Sequence, residues 1–118
     1  MRDFKKLEIW KNGITIVKFV YSLVQKLPNE EKFGLKSQIS RAAVSDPSNI
    51  AEGCSRNSEV EFKRFLEIAQ GSLFEVETQL IISEELKFLD SDELKSIFEL
   101  ISIESKMINS LISKIKNS

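Results

Sequence analysis

Apolar residues recur along this chain at alternating spacings of three and four, in four blocks separated by short polar or proline-containing breaks. That period is helical. In the first block Leu7, Trp10, Ile14, Val17, Tyr21 and Val24 form one stripe, and Ile9, Ile16, Val20, Leu23 and Leu27 form a second beside it. Lys11, Thr15, Lys18, Ser22 and Lys26 mark the wet face. The spacing predicts a helix over 7–27 whose apolar arc is wider than one neighbouring helix covers. Such a helix sits deep in a bundle or contacts another subunit, with Trp10, Ile16 and Val20 as contact residues.

Pro28-Asn29 ends that block, and the next predicted helix runs over 30–52. It crosses Pro47, which removes a backbone hydrogen bond and crowds the preceding turn, a cost of roughly 3 kcal/mol in a helix interior. Ala42, Ala43, Ser45, Ser48, Ala51 and Gly53 surround the proline with short side chains. A bend or break lined with small residues suits one close packing arrangement. Gly53 is expected to stop the helix in a left-handed conformation. Ser58-Glu59-Val60-Glu61 has the form of a capping box opening the third helix. Its seam is Phe62, Leu66, Ala69, Leu73, Val76 and Leu80, interrupted by Gly71, a glycine expected at a close helix approach. Asp90-Ser91-Asp92-Glu93 opens the fourth helix, with Leu94, Ile97, Ile101, Ile108, Leu111 and Ile115 along it. No block alternates as a strand does. The expectation is all-α: a single domain over residues 1–118, folded as an antiparallel up-down-up-down four-helix bundle with its second helix bent or broken near Pro47.

The charge balance adds one asymmetry. The formal net charge is −1, which gives no global attraction to nucleic acid. Yet residues 1–29 carry Arg2, Lys5, Lys6, Lys11, Lys18 and Lys26 against Asp3 and Glu8, whereas residues 57–89 carry seven Glu against Lys63, Arg64 and Lys87. Complementary neighbouring helices or solvated faces account for that pattern, with a partner-binding patch as the alternative. Arg41, Arg56, Lys63 and Arg64 flank the connection between the second and third helices. They form a candidate phosphate-contacting set for RNA or DNA, or else take part in ordinary surface ion pairs.

Catalytic chemistry finds little to work with. The chain has no histidine, which removes histidine bases and histidine-based metal or haem ligation. Cys54 is the one cysteine, with no disulfide partner and no base to activate it. Glu75 and Glu77 are two residues apart and cannot share a helix face. No phosphate-binding glycine loop occurs. The reading is a non-enzymatic protein with no catalytic residue, metal or cofactor. With no apolar run near the roughly 20 residues of a membrane span, and with a lone thiol, it is expected to be cytoplasmic and free of membranes.

With these residues in place, the chain resembles the four-helix-bundle family encoded by intervening sequences inside bacterial 23S rRNA genes. Asp3-Phe4-Lys5-Lys6-Leu7 with Trp10 is similar to the family's opening, and Glu30-Glu31-Lys32-Phe33-Gly34-Leu35 with Ser37-Gln38-Ile39 to the start of its second helix. Arg41-Ala42-Ala43-Val44-Ser45 and Pro47-Ser48-Asn49-Ile50-Ala51-Glu52-Gly53 resemble its signature. Phe62, Arg64 to Leu66, Ala69, Gly71 to Leu73, Glu75 and Glu77 to Leu80 resemble its third helix. The resemblance implies a homopentamer around a central channel and no known enzymatic activity. It makes Ala42, Ala43, Pro47, Gly53 and Gly71 packing or subunit-interface residues. A related branch, the accessory proteins of diversity-generating retroelements, binds nucleic acid and a reverse transcriptase, but is distinctly basic where this chain is slightly acidic. Asp46 departs from the pattern, which has an aliphatic residue there. A carboxylate on that face must reach water or a cation, so Asp46 is expected to be partly exposed or paired.

Overall fold

The computed structural model describes residues 2–116, with Lys116 described by its backbone alone. After a single 3-10 turn at Phe4–Lys6, four helices follow: α1 Glu8–Val24, α2 Leu35–Cys54, α3 Glu59–Glu85 and α4 Ser91–Lys116. Each helix packs on its neighbour in the chain, and α4 closes on α1, giving a four-helix bundle with extents of 45 × 24 × 20 Å. Among the described residues there is no strand, and no helix is long and apolar enough to cross a membrane.

Helix ends follow local chemistry. Ser58 accepts the Glu61 amide at 3.2 Å and opens α3. Asp90 and Glu93 cap α4 reciprocally, Asp90 Oδ1 accepting the Glu93 amide at 2.9 Å and Glu93 Oε1 accepting the Asp90 amide at 3.0 Å. The second helix starts later than its sequence pattern suggests. Residues 29–31 form a separate 3-10 turn, and Glu31 Oε1 reaches forward to the Leu35 amide at 3.1 Å, so the helix begins at Leu35.

Two glycines behave differently from the sequence expectation. Gly53 does not end α2 in a left-handed turn; the helix runs through it to Cys54, and no described glycine has positive φ. Its role is contact. A Cβ there would lie 2.8 Å from Phe65 Cβ and 3.1 Å from Phe62 Cδ1. Gly71 shows the reverse. A Cβ at Gly71 meets nothing within 4 Å, so no helix of this chain approaches it closely. Among the described residues the one in left-handed conformation is Lys87, φ 65°, closing α3. Its amide bonds Glu84 O at 2.9 Å and the Phe88 amide bonds Ser83 O at 2.9 Å, the pair of bonds that normally selects glycine at this position.

The α2–α3 contact is the most extensive of the four. Small side chains explain it: Ala42, Ala43 and Gly53 are buried on α2, and Ser45 Oγ meets Ser72 Oγ at 2.8 Å. Ile16 and Val20 of α1 are fully buried with Leu73, Val76 and Leu80 of α3 in the main core cluster. A second cluster around Ile50, Phe62, Leu66 and Ile108 fills the other end, with Trp10 half-buried against it.

Candidate functional site

Three apolar seams are each interrupted once, and the interruptions meet. Along α1 the positions Ile9, Gly13, Ile16 and Val20 keep the three-four spacing, and the second of them has no side chain. Along α2 the series is Ile39, Ala43, Asp46, Ile50; along α4 it is Ile97, Ile101, Glu104, Ile108. A Cβ built on Gly13 would lie 2.7 Å from Asp46 Oδ2, 3.2 Å from Pro47 Cβ and 3.3 Å from Glu104 Oε2. The space left by the glycine is filled by two carboxyl groups from opposite helices. Both residues are 0% exposed.

Asp46 is therefore neither solvated nor matched to a cation, contrary to the sequence expectation. The physical reason is twofold. The helix continues through Pro47, so Asp46 is an interior residue and not an exposed cap. The missing side chain at Gly13 lets the carboxyl turn inward. Among the described residues no donor reaches Asp46 Oδ1, Asp46 Oδ2 or Glu104 Oε2. Glu104 Oε1 accepts the Asn12 side-chain amide at 3.2 Å, and the same Nδ2 donates to Leu100 O at 3.3 Å. Two carboxylates cannot bond each other; one carboxyl and one carboxylate can.

Burial pushes the Asp46 carboxyl up to about 10, with the hydrogen bond and the charge of Glu104 acting in the same direction. Burial also raises Glu104, opposed by its hydrogen bonds with Asp46 and Asn12. The arrangement needs one proton shared between Asp46 and Glu104, with Asn12 donating to Glu104 Oε1. The two groups titrate as one unit. Sequence reading isolated Asp46 but passed over Gly13, Asn12 and Glu104. The signal was present in the seams, where a glycine and a glutamate occupy positions whose periodic neighbours are all isoleucine or valine.

The candidate nucleic-acid cations divide into two groups. Arg56, Lys63 and Arg64 lie around the α2–α3 turn. Arg41 lies within α2, roughly 20 Å back along the axis at about 1.5 Å per residue, bonded to Ser37 Oγ at 3.2 Å. Arg56 pairs with Glu52 at 3.2 Å and stacks over the Phe65 ring at 4.9 Å. Arg64 is exposed and Lys63 half-buried. Basic residues near the amino terminus engage acidic ones on later helices, Arg2 with Glu59 at 2.7 Å and Lys26 with Glu93 at 2.8 Å. Cys54 is buried, and that burial raises its thiol pKa. Among the described residues no group of three or more His, Cys, Asp or Glu could hold a metal ion.

Two outer faces are apolar. Between α1 and α2, Trp10, Ile14, Val17, Val44 and Pro47 line an open groove of about 280 Å³. On α3, Ile68, Phe74, Ile81 and Ile82 are exposed by 41–51%. Gly71 is exposed on the same side of that helix, one step of the three-four spacing after Ile68.

A solved structure from Bacteroides thetaiotaomicron, described as a protein with unknown function from the S23 ribosomal protein family, superposes with a TM-score of 0.81. It is 22% identical, and the match covers 88% of this chain and 97% of that one. At that identity the likeness concerns the fold. No curated protein matches the chain. The family model of the 23S rRNA-intervening sequence protein matches residues 5–110. The chain thus belongs to the 23S rRNA-intervening sequence protein family.

Proposed function

We propose that this chain is the protomer of a non-enzymatic, homo-oligomeric helical scaffold in which copies close into a ring. The observation that carries the reading is the pair of apolar outer faces, the α1–α2 groove and the outer side of α3. A closed ring needs two different patches on each copy that fit each other. Exposed apolar area of this kind marks an interaction site in a soluble protein. Gly71, where an added Cβ meets nothing within 4 Å, would let a partner backbone approach the middle of the α3 face. The resemblance to the intervening-sequence family makes five the expected number of copies. The non-enzymatic reading is supported by the sealing of the one displaced acid pair, which no substrate can reach. Light scattering at micromolar concentration tests the proposal: a clean protomer mass contradicts it.

Contact with RNA or DNA is the extension that Lys63 and Arg64 favour. Both lie near the start of α3 at the α2–α3 turn, and neither pairs with a carboxylate within 4.0 Å among the described residues. One such patch is weak beside Glu59, Glu61 and Glu67. Repeated around a ring, it gains from effective concentration. The alternative, a protein-interaction scaffold without nucleic-acid affinity, requires binding to structured RNA to be absent or insensitive to salt.

A further inference from the structure

We infer that the Asp46–Glu104 pair is a proton-operated latch holding α1, α2 and α4 together at Gly13. Three observations carry it. Both carboxyls have no exposed surface, and three of their four oxygens have no donor among the described residues. The missing donor is a proton. Gly13 brings the α1 backbone so close to Asp46 Oδ2 that no bulkier residue fits without displacement. Pro47, next to Asp46, removes the amide that would bond the Ala43 carbonyl, so α2 is locally short of one backbone bond where the pair sits.

The surroundings offer no substitute for the proton. From α1 the pair is faced by Gly13 and the uncharged Asn12; from α4 the facing group is Glu104 itself. The buried polar residues of α3 are Gln70, Ser72, Gln79 and Ser83, with no ionisable group among them. With the proton in place, one carboxyl donates to the other and the three helices close. Without it, two negative charges occupy a dry site, and the cheapest relief is to part the helices beside Pro47 and admit water. That movement reaches the outside, because Pro47 lines the groove that also contains Trp10. The latch lies within one protomer; because the same groove is a face of the proposed ring, light scattering recorded alongside the titration separates the parting of helices from dissociation of the ring.

Trp10 is the one tryptophan and a built-in reporter. Its emission is followed while the native protein is titrated from pH 6 to 10.5, together with the infrared carbonyl band of a protonated carboxylic acid at pH 7. The expected result is a protonated-acid band at pH 7 and a red shift of Trp10 emission at alkaline pH. In Asp46→Asn the band and the shift are both lost. Glu104→Gln, whose amide oxygen still accepts from Asn12 and Asp46, keeps the band and, with the Glu104 charge gone while burial still acts on Asp46, moves the shift to lower pH; it serves as well if the Asn variant does not fold. A native protein with every carboxyl ionised at pH 7 overturns the latch. So does an alkaline shift that persists in a folded Asp46→Asn variant, or one that stays at the native pH in Glu104→Gln.

Discussion

Asp46 on α2 and Glu104 on α4 face one another beside Gly13, and neither has any surface exposed to solvent. A buried pair of like-charged groups is stable only when it keeps a proton. Its presence ties the stability of this bundle to pH in a definite direction.

The folded protein holds the Asp46 pKa at about 10, above the ordinary value of 3.8. The native state therefore keeps a proton that the unfolded chain has already released. The stability it contributes is full below pH 3.8 and declines as pH rises, until the native pair itself ionises near 10. Each whole proton corresponds to about 1.4 kcal/mol per pH unit. Urea midpoints are expected to fall between pH 5 and pH 8, and folding at pH 7 to take up about one proton, measurable by calorimetry in buffers of different ionisation enthalpy. The exposed Lys26–Glu93 pair acts in the opposite direction. It holds Glu93 below its usual range, so its small contribution is lost only as the pH falls into the acid range.

Gly13→Ala and Gly71→Ala should move stability in opposite directions. Each gains about 0.5–1 kcal/mol of helix propensity. At Gly71 nothing within the protomer opposes it, since the added methyl group meets open space there. At Gly13 the methyl group collides with Asp46, Pro47 and Glu104, and the net result should be a loss of about 1–3 kcal/mol. Equilibrium denaturation of the two variants decides the signs.

Lys87→Gly should stabilise the protein by about 1 kcal/mol, because a left-handed conformation costs a side-chain-bearing residue roughly that much. The hydrogen bonds of the turn are backbone bonds and survive the change. Thermal unfolding gives the measurement.

Lys63→Ala combined with Arg64→Ala should weaken RNA binding and flatten its dependence on salt, by about 0.7–0.9 in the log–log slope for each phosphate contact removed. Arg41→Ala should change neither, since Arg41 lies far along α2. Filter binding or fluorescence anisotropy across a salt series separates the two outcomes.

The four helices were legible because their seams keep the three-four spacing over many turns, and nothing in the core overrides it. Boundaries were less so. Leu27 is buried and continues the pattern of α1, yet the helix ends at Val24, because burial of a side chain does not require helical backbone. Glu31 gave no sign that it caps Leu35 from inside a separate turn. From the sequence, Gly53 was expected as a helix stop and Gly71 as a close approach. The structure makes Gly53 the close approach and leaves Gly71 bare. The acid pair was half legible. Asp46 stood out against the apolar pattern around it, but its partner lies 58 residues away on another helix, and no local rule pairs them.

Assembly of the proposed ring depends on the two apolar outer faces. Sedimentation velocity at micromolar concentration measures it directly, on the native chain and on a variant carrying Ile14→Glu and Val44→Glu in the α1–α2 groove. The native chain should sediment as a closed oligomer, five times the protomer mass of 13.5 kDa, and the variant as a helical protomer. A native chain that sediments at the protomer mass contradicts the account.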